Sequence, residues 1–327
     1  MRFRRDTVGE SLEEARAVDK MPAAQCTGRP VVIGEVLFDV FPDGTRFMGG
    51  APFNVAWHLQ AMGLKPLLIT RIGDDELGRC ILEEMAGWGM DVSGVQRDPR
   101  RPTGRVNVEL EEGEPRFEIA AEQAYDYLDP AAEPEAPLTE PAPLIYHGSL
   151  IARSEVSRAA LFAYRARLRA PVFLDVNLRP PWWSDDQIAR ALLGVRWVKL
   201  NADELCTLTG LSTSADRAEL IDTAREFRAR HALEAVIVTL GEKGAFVIRH
   251  DELLAGAPQV AVRQLDSVGA GDAFSAAFIT GIVRGWPPTT TLRRALDLAA
   301  VTCTFRGAVS RDRALYSRLL KRWGSEQ

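Results

Sequence analysis

The chain has 327 residues, 46% apolar and 26% charged, with a formal net charge of −5 at pH 7. That length fits one large domain or two modest ones, and the acidic balance gives no electrostatic reason to expect nucleic acid or an anionic membrane as partner. No run approaches the ~20 apolar residues of a membrane span, the basic start MRFRRD lacks the apolar segment of a secretory signal, and Cys26, Cys80, Cys206 and Cys303 are too dispersed for a zinc or disulfide framework, which implies a reducing, cytoplasmic setting.

Residues 1–29 are polar and charged apart from a short helical pattern around 10–18, and read as an N-terminal extension without a packed core. The run VVI at 31–33 reads as a buried strand ending at Gly34, with alternation continuing through Asp39. Residues 49–56 read GGAPFNVA, so a glycine pair precedes an amphipathic helix predicted over 54–62 and closed by Gly63. Asn54 lies near that helix start, where an amide can both donate to and accept from a sugar hydroxyl. An N-cap with a tight turn accounts for the same residues. A strand over 66–72 and a helix over 76–88 follow, and the β-α-β-α alternation argues for a parallel sheet.

Residues 103–120 break the rhythm, alternating with period two around a turn at 111–113, which predicts a hairpin with one apolar face. The proline- and acid-rich segment 129–143 reads as a surface linker. The α/β rhythm then resumes. Strands are predicted at 144–147, 172–176, 197–200, 236–239 and 245–248, and helices at 154–169, 184–193, 214–231, 271–285 and 289–305. Ligands in open α/β sheets bind beyond the carboxyl ends of strands, which favours Asp175, Asn177 and Arg179 in the segment LDVNLRPPWW. A polar turn with Arg179 paired to a surface acid is the alternative, and Trp182 and Trp183 read as packing residues. The four histidines show no metal spacing, and His58, inside a helix, reads as structural. The absence of a GxxxxGK(S/T) loop disfavours a Walker-type NTPase.

Residues 266–272 read DSVGAGD and open an apolar helix. Small residues at a helix N-terminus let backbone N–H groups converge on an anion, aided by the helix dipole. A carboxylate beside such a site repels phosphate, so Asp272 makes chemical sense as the acceptor of a proton from a hydroxyl attacking a phosphoryl group cradled by Gly269, Ala270 and Gly271. An acidic first turn without further role is the plain alternative.

Together the two glycine motifs resemble the two signatures of the ribokinase-like (PfkB) carbohydrate kinase family. The first matches from Gly49 through Asn54 and Ala56 to Gly63 and Gly73, the second from Asp266 to Ala277, and the resemblance covers about residues 30–315. It implies a three-layer α/β/α sheet spanning 30–320, with a small β-strand lid from about 36–48 and 100–122 and a tail at 321–327. The lid would cover the sugar and can pair with a second subunit as a homodimer. The segment 41–48 is shorter than in typical fructokinases. Carried over residue by residue, Asp39, Gly49, Gly50, Asn54 and Arg179 would hold the sugar, and Asp272 would be the base. Asn201 and Glu204 match an N-x-x-E element that helps arrange Mg²⁺, usually through water; Glu204 also reads as a first-turn helix acid. Thr239, Gly241 and Gly244 resemble the nucleotide wall, joined by Asn201 and Gly271. The loop at 305–308 resembles one that closes over adenine and binds a monovalent cation such as K⁺, with Asp266, Val268 and Gly307 as ligands.

GGAPFNVA and DVNLRPPWW look more like bacterial fructokinases than ribokinases. The expected reaction is therefore transfer of the ATP γ-phosphoryl group to the 6-hydroxyl of fructose. A kinase for 2-keto-3-deoxygluconate or another ketose or sugar acid is the first alternative. It would need a cationic lid residue, for which Arg105 and Arg116 are candidates. The second is a non-catalytic sugar or nucleotide sensor on the same fold, against which the intact Asp272 argues.

Overall fold

Val31, Val32 and Ile33 form a strand with no solvent exposure on either face: Val32 packs into one apolar layer, Val31 and Ile33 into another. Period-two alternation between two buried faces is what a central strand of a three-layer fold requires. The structure, a computed structural model, describes residues 28–111, 114–132, 134, 140–250, 252–258 and 264–324. The extension at 1–29, except its last two residues, and parts of the linker at 129–143 lie outside the described residues.

The strands are β1 (Val31–Ile33), β2 (Leu37–Val40), β3 (Arg46–Gly49), β4 (Leu67–Gly73), β5 (Val95–Asp98), β6 (Gly104–Glu111) and β7 (Glu114–Ile119). They continue as β8 (Ile145–His147), β9 (Val172–Asp175), β10 (Trp197–Asn201), β11 (Ala235–Thr239), β12 (Ala245–Arg249) and β13 (Glu252–Gly256). Nine of them form one sheet in the order β13-β12-β11-β10-β9-β8-β1-β4-β5. Among the described residues of this sheet, β12 pairs antiparallel with β11 and with β13, and the other pairings are parallel.

One face of the sheet is covered by α1 (Ala51–Ala61), α2 (Glu76–Trp88), α7 (Ala270–Arg284), α8 (Pro288–Thr302) and α9 (Arg313–Gly324). The other carries α3 (Glu155–Leu168), α4 (Asp185–Leu192), α5 (Ala202–Thr209) and α6 (Arg217–Arg230). Local capping agrees with this layout. Asp75 accepts from Gly78 N, Ser184 from Gln187 N, and Asp216 and Glu219 form a reciprocal box. Such caps are worth about 0.5–2 kcal/mol each.

The remaining strands build a small second sheet in the order β3-β2-β6-β7. The hairpin expected over 103–120 is β6–β7, with Val106 opposite Ile119. It joins the main body through parallel pairing of β2 with β6, Leu37 opposite Gly104. The short segment at 41–48 closes tightly: Phe41 N–H donates to Thr45 O at 2.9 Å, and Asp43 accepts from Thr45 N at 2.8 Å.

The structure corrects the reading in four places. Helix α1 begins at Ala51 rather than 54, because Pro52 sits in the first turn, where its missing N–H is harmless. The domain does not end at 320: α9 runs to Gly324 and buries Tyr316, Leu319 and Trp323, so residues 321–324 belong to a packed helix rather than a tail. Strands β5 and β13 are not among the expected elements, whereas β3 falls at the end of the expected lid segment 36–48. Helix α5 is not among the expected helices, although Glu204 reads from the sequence as a first-turn acid and does lie in its first turn.

Candidate active site

The site lies along the carboxyl ends of β1, β9, β10 and β11, where α7 and the small sheet meet them. Gly269 caps α7 with φ 77°. A Cβ there would lie 2.4 Å from both Cα and Cβ of Ala308, so only glycine lets the two loops touch. Ala270 N–H bonds Ser267 O at 3.3 Å. The N–H groups of Gly271 and Asp272 fall in the first turn, where the helix supplies no acceptor, so they face outward with the positive end of the dipole behind them.

Asp272 is joined to the first motif directly. Asn54 Nδ2 donates to Asp272 Oδ2 at 2.8 Å across 218 residues of sequence. Asn54 is buried, and its amide oxygen has no partner. Burial pushes the Asp272 carboxyl up to about 6, against the lowering effects of Asn54, Lys199 and Arg179. Asp39 is likewise raised to about 6 by burial, partly offset by Arg179. The Asp39 carboxylate covers Gly49, with Oδ2 3.7 Å from where a Cβ of that glycine would lie. Gly50 adopts φ 101°, and a Cβ on it would lie 2.7 Å from Glu35 O. The glycine pair therefore admits close backbone packing against the β1–β2 connection.

Beneath the anion loop is a buried charge cluster that the sequence reading recognised only in part. Lys199, on β10, places Nζ 3.1 and 2.9 Å from the two oxygens of Asp175. Ser275 Oγ donates to Asp175 at 2.9 Å and Tyr146 Oη at 3.3 Å. Lys199 Nζ lies 3.0 Å from the position a Gly271 Cβ would take. The ammonium thus sits directly under the first turn of α7, fixed by a carboxylate with three side-chain donors. The signal for Lys199 was a lysine inside an otherwise apolar strand.

Glu204 serves the scaffold. Its Oε2 accepts from Asn201 N and its Oε1 from Leu178 N, each at 2.8 Å, while Asn201 Oδ1 accepts from Glu204 N at 2.8 Å. This capping box ties α5 to the loop that carries Arg179. Each Glu204 oxygen keeps a further lone pair, which suits a water-mediated metal contact better than direct ligation. Among the described residues there is no cluster of three or more His, Cys, Asp or Glu that could hold a metal.

Thr239, Gly241 and Gly244 lie at and just after the carboxyl end of β11, next to Asn201. Thr239 pairs with Asn201 in the β10–β11 register. Gly241 opens the short turn Gly241–Lys243, and Gly244 packs on Gly256. Asp266 joins the proposed cation residues: Oδ1 accepts from Val268 N at 3.0 Å and Oδ2 from Gly307 N at 2.9 Å. The Asp266 carboxylate thus ties the loop before α7 to the loop after α8.

Arg179 is exposed but close enough to lower the Asp39, Glu35 and Asp272 carboxyls. Arg105 is also exposed. The Arg116 side chain lies outside the described residues. Sequence reasoning missed Glu35, Tyr125 and Arg153, three buried residues beside the site, because each comes from a separate segment and none sits in a motif.

The family model for pfkB family carbohydrate kinases matches residues 34–313. Fructokinase-1 of Oryza sativa subsp. japonica is 30% identical over 297 residues, covering 86% of this chain and 89% of that protein. Among solved structures, a fructokinase double mutant from Vibrio cholerae with fructose, ADP and potassium ion bound superposes with TM-score 0.75 at 26% identity, covering 90% of this chain and 99% of the other. An uncharacterized sugar kinase from Pyrococcus horikoshii in complex with ATP gives TM-score 0.71 at 25% identity, covering 85% and 93%.

Proposed function

This chain belongs to the pfkB family of carbohydrate kinases, and we propose that it transfers the γ-phosphoryl group of ATP to the 6-hydroxyl of fructose. Kinase chemistry on a sugar follows from the family; the choice of fructose rests on the similarity to fructokinases of plants and bacteria. The observation that carries the site assignment is the Asn54–Asp272 hydrogen bond. It joins a hydroxyl-binding amide, whose oxygen is still free to accept, to a carboxylate raised toward neutrality.

In this reading Asn54 Oδ1 and Asp39 accept hydrogen bonds from hydroxyls of the sugar and orient its primary hydroxyl toward Asp272. Asp272 Oδ takes the proton as the hydroxyl oxygen attacks. The N–H groups of Gly271 and Asp272 meet the charge that develops on the phosphoryl oxygens, with Lys199 below them. Positioning and electrostatic stabilisation dominate such a reaction, because phosphoryl transfer leaves little covalent work to the protein. Mg²⁺ bound with ATP would neutralise phosphate charge, and Asn201 and Glu204 would orient its water shell. Thr239, Gly241 and Gly244 would line the nucleotide. Asp266, Val268 and Gly307 would hold K⁺ at the loop after α8.

The small sheet would close over the sugar and exclude water, and its exposed hairpin would form a homodimer contact. Sedimentation at micromolar concentration tests that pairing, and a monomer would contradict it. We place the enzyme in the cytoplasm; no helix among the described residues is long and apolar enough to cross a membrane. The activity test is ADP release across fructose, ribose, glucose and 2-keto-3-deoxygluconate. Fructose should give the highest kcat/KM, and a clear preference for the acid would overturn the choice of sugar.

A further inference from the structure

Around Glu35, whose carboxyl feels Asp272, the structure buries three polar atoms that, like Asn54 Oδ1, have no hydrogen-bond partner among the described residues: Glu35 Oε2, Tyr125 Oη and Arg153 Nη1. Glu35 is 2% exposed, Tyr125 0%, and the Arg153 side chain 4%. Unmatched buried polar atoms are rare, since each loses its hydration without replacement. Three in one place point to a ligand that supplies the missing partners. They do share one place: the Arg153 guanidinium lies 5.0 Å from the centre of the Tyr125 ring. Glu35 responds electrostatically to Arg153, Arg179 and Asp272.

The surroundings define the chemistry of the missing group. Arg153 Nε and Nη2 donate to the two oxygens of Asp126 at 2.7 and 2.6 Å, and Nη2 also donates to Ala120 O at 2.7 Å. The guanidinium further lies 4.4 Å from the Trp182 ring centre. Its charge is therefore already met and its plane is fixed, so Nη1 remains as a directed donor. Glu35 Oε2 has no partner among the described residues and remains as an acceptor. Tyr125 Oη can do either. A donor, an acceptor and a hydroxyl together match adjacent hydroxyls of a polyol. They do not match a carboxylate, which would also approach Glu35, Asp39 and Asp272.

We propose that Glu35, Tyr125 and Arg153 form a hydroxyl-recognising end of the acceptor pocket and select a neutral polyhydroxylated substrate over a sugar acid. This inference rests on the kinase-site reading above and names the substrate class of that site. It does not require turnover to be tested, because binding of the acceptor alone reads it.

The experiment is calorimetric titration of wild type, Glu35→Gln, Tyr125→Phe and Arg153→Lys with fructose, with singly deoxygenated fructose analogues, with 2-keto-3-deoxygluconate and with a non-hydrolysable ATP analogue. Thermal melts run in parallel. Each variant should weaken fructose binding roughly five- to a hundredfold, the range for one lost buried hydrogen bond, and leave the ATP-analogue Kd within about twofold. One deoxy analogue should bind wild type more weakly than fructose does, yet lose little more in Tyr125→Phe, because the hydroxyl pair is already broken. A purely structural role would not produce that pairing. Fructose binding unchanged in all three variants would overturn the assignment. So would parallel loss of sugar and nucleotide with a fallen melting temperature, or tighter wild-type binding of the acid. If wild type binds fructose and the variants do not, yet no sugar is phosphorylated, the pocket assignment stands and the kinase reading falls.

Discussion

Asp272 and Glu35 have carboxyls shifted upward for the same reason, burial, and the two shifts predict different experiments. In its proposed role Asp272 must be ionised to accept a proton, and its carboxyl is raised to about 6. The kcat/KM profile, which reports the free enzyme, should therefore fall as pH drops through about 6 rather than near 4. A limb midpoint below 4.5 would contradict the assignment. Glu35 is raised from 4.5 to about 7. Its ionised form is disfavoured in the folded state, so its contribution to stability is lost as pH rises from 4.5 and is fully lost above about 7. Glu35→Gln should accordingly gain stability relative to wild type across that window and level off above it, by at most about 3 kcal/mol. Melts at pH 5 and pH 8 check this, and a gap that shrinks with rising pH would refute it. In the sequence, Asp272 was legible because a carboxylate beside an anion loop demands an explanation. Glu35 was not, since its meaning depends on Tyr125 and Arg153, about 90 and 118 residues away along the chain.

Helix α1 links the two halves of the site. Asn54, Trp57 and His58 share one face at i, i+3 and i+4. Asn54 holds Asp272, Trp57 Nε1 donates to Ser310 O at 3.0 Å, and His58 Nε2 lies 3.1 Å from Ala308 O. With Nε2–H donating to that carbonyl, His58 Nδ1 accepts from Tyr316 Oη at 3.0 Å, and burial pushes the imidazole down to about 4, so it stays neutral. The reading of His58 as structural thus holds, and the structure adds what it supports: the loop around Gly307. His58→Ala should lower stability by about 2–4 kcal/mol through the lost buried partners and cavity. It should also weaken ATP-analogue binding more than fructose binding. Equal weakening of both ligands would show that α1 does not act through the loop. The helix itself was legible from its period; its tether was not, because Ala308 and Ser310 accept through backbone carbonyls that carry no side-chain signature. Helix α9 was legible in principle, since Tyr316, Leu319 and Trp323 recur at i, i+3 and i+7, but its polar residues masked the stripe.

At the scale of the whole molecule, the β-α alternation predicted the parallel sheet because buried strands and amphipathic helices each carry their own periodicity. Edge strands such as β5, reading VQRD, and β13, reading ELLAG, escaped because half their surface faces water and their side chains follow no buried pattern. The same logic divides the site. Glycine motifs at strand and helix ends announce Gly49, Gly50, Asn54 and Asp272. Lys199, Tyr125 and Arg153 become visible only when distant segments pack. The central claim is that the fold brings Asn54 and Asp272 together so that Asp272 can deprotonate a sugar hydroxyl beneath the α7 anion site. Its most direct test is Asp272→Asn, assayed for phosphoryl transfer to fructose alongside calorimetric binding of fructose and an ATP analogue. The account predicts a kcat lower by roughly 10²–10⁴ with the nucleotide Kd preserved; turnover equal to wild type would contradict it.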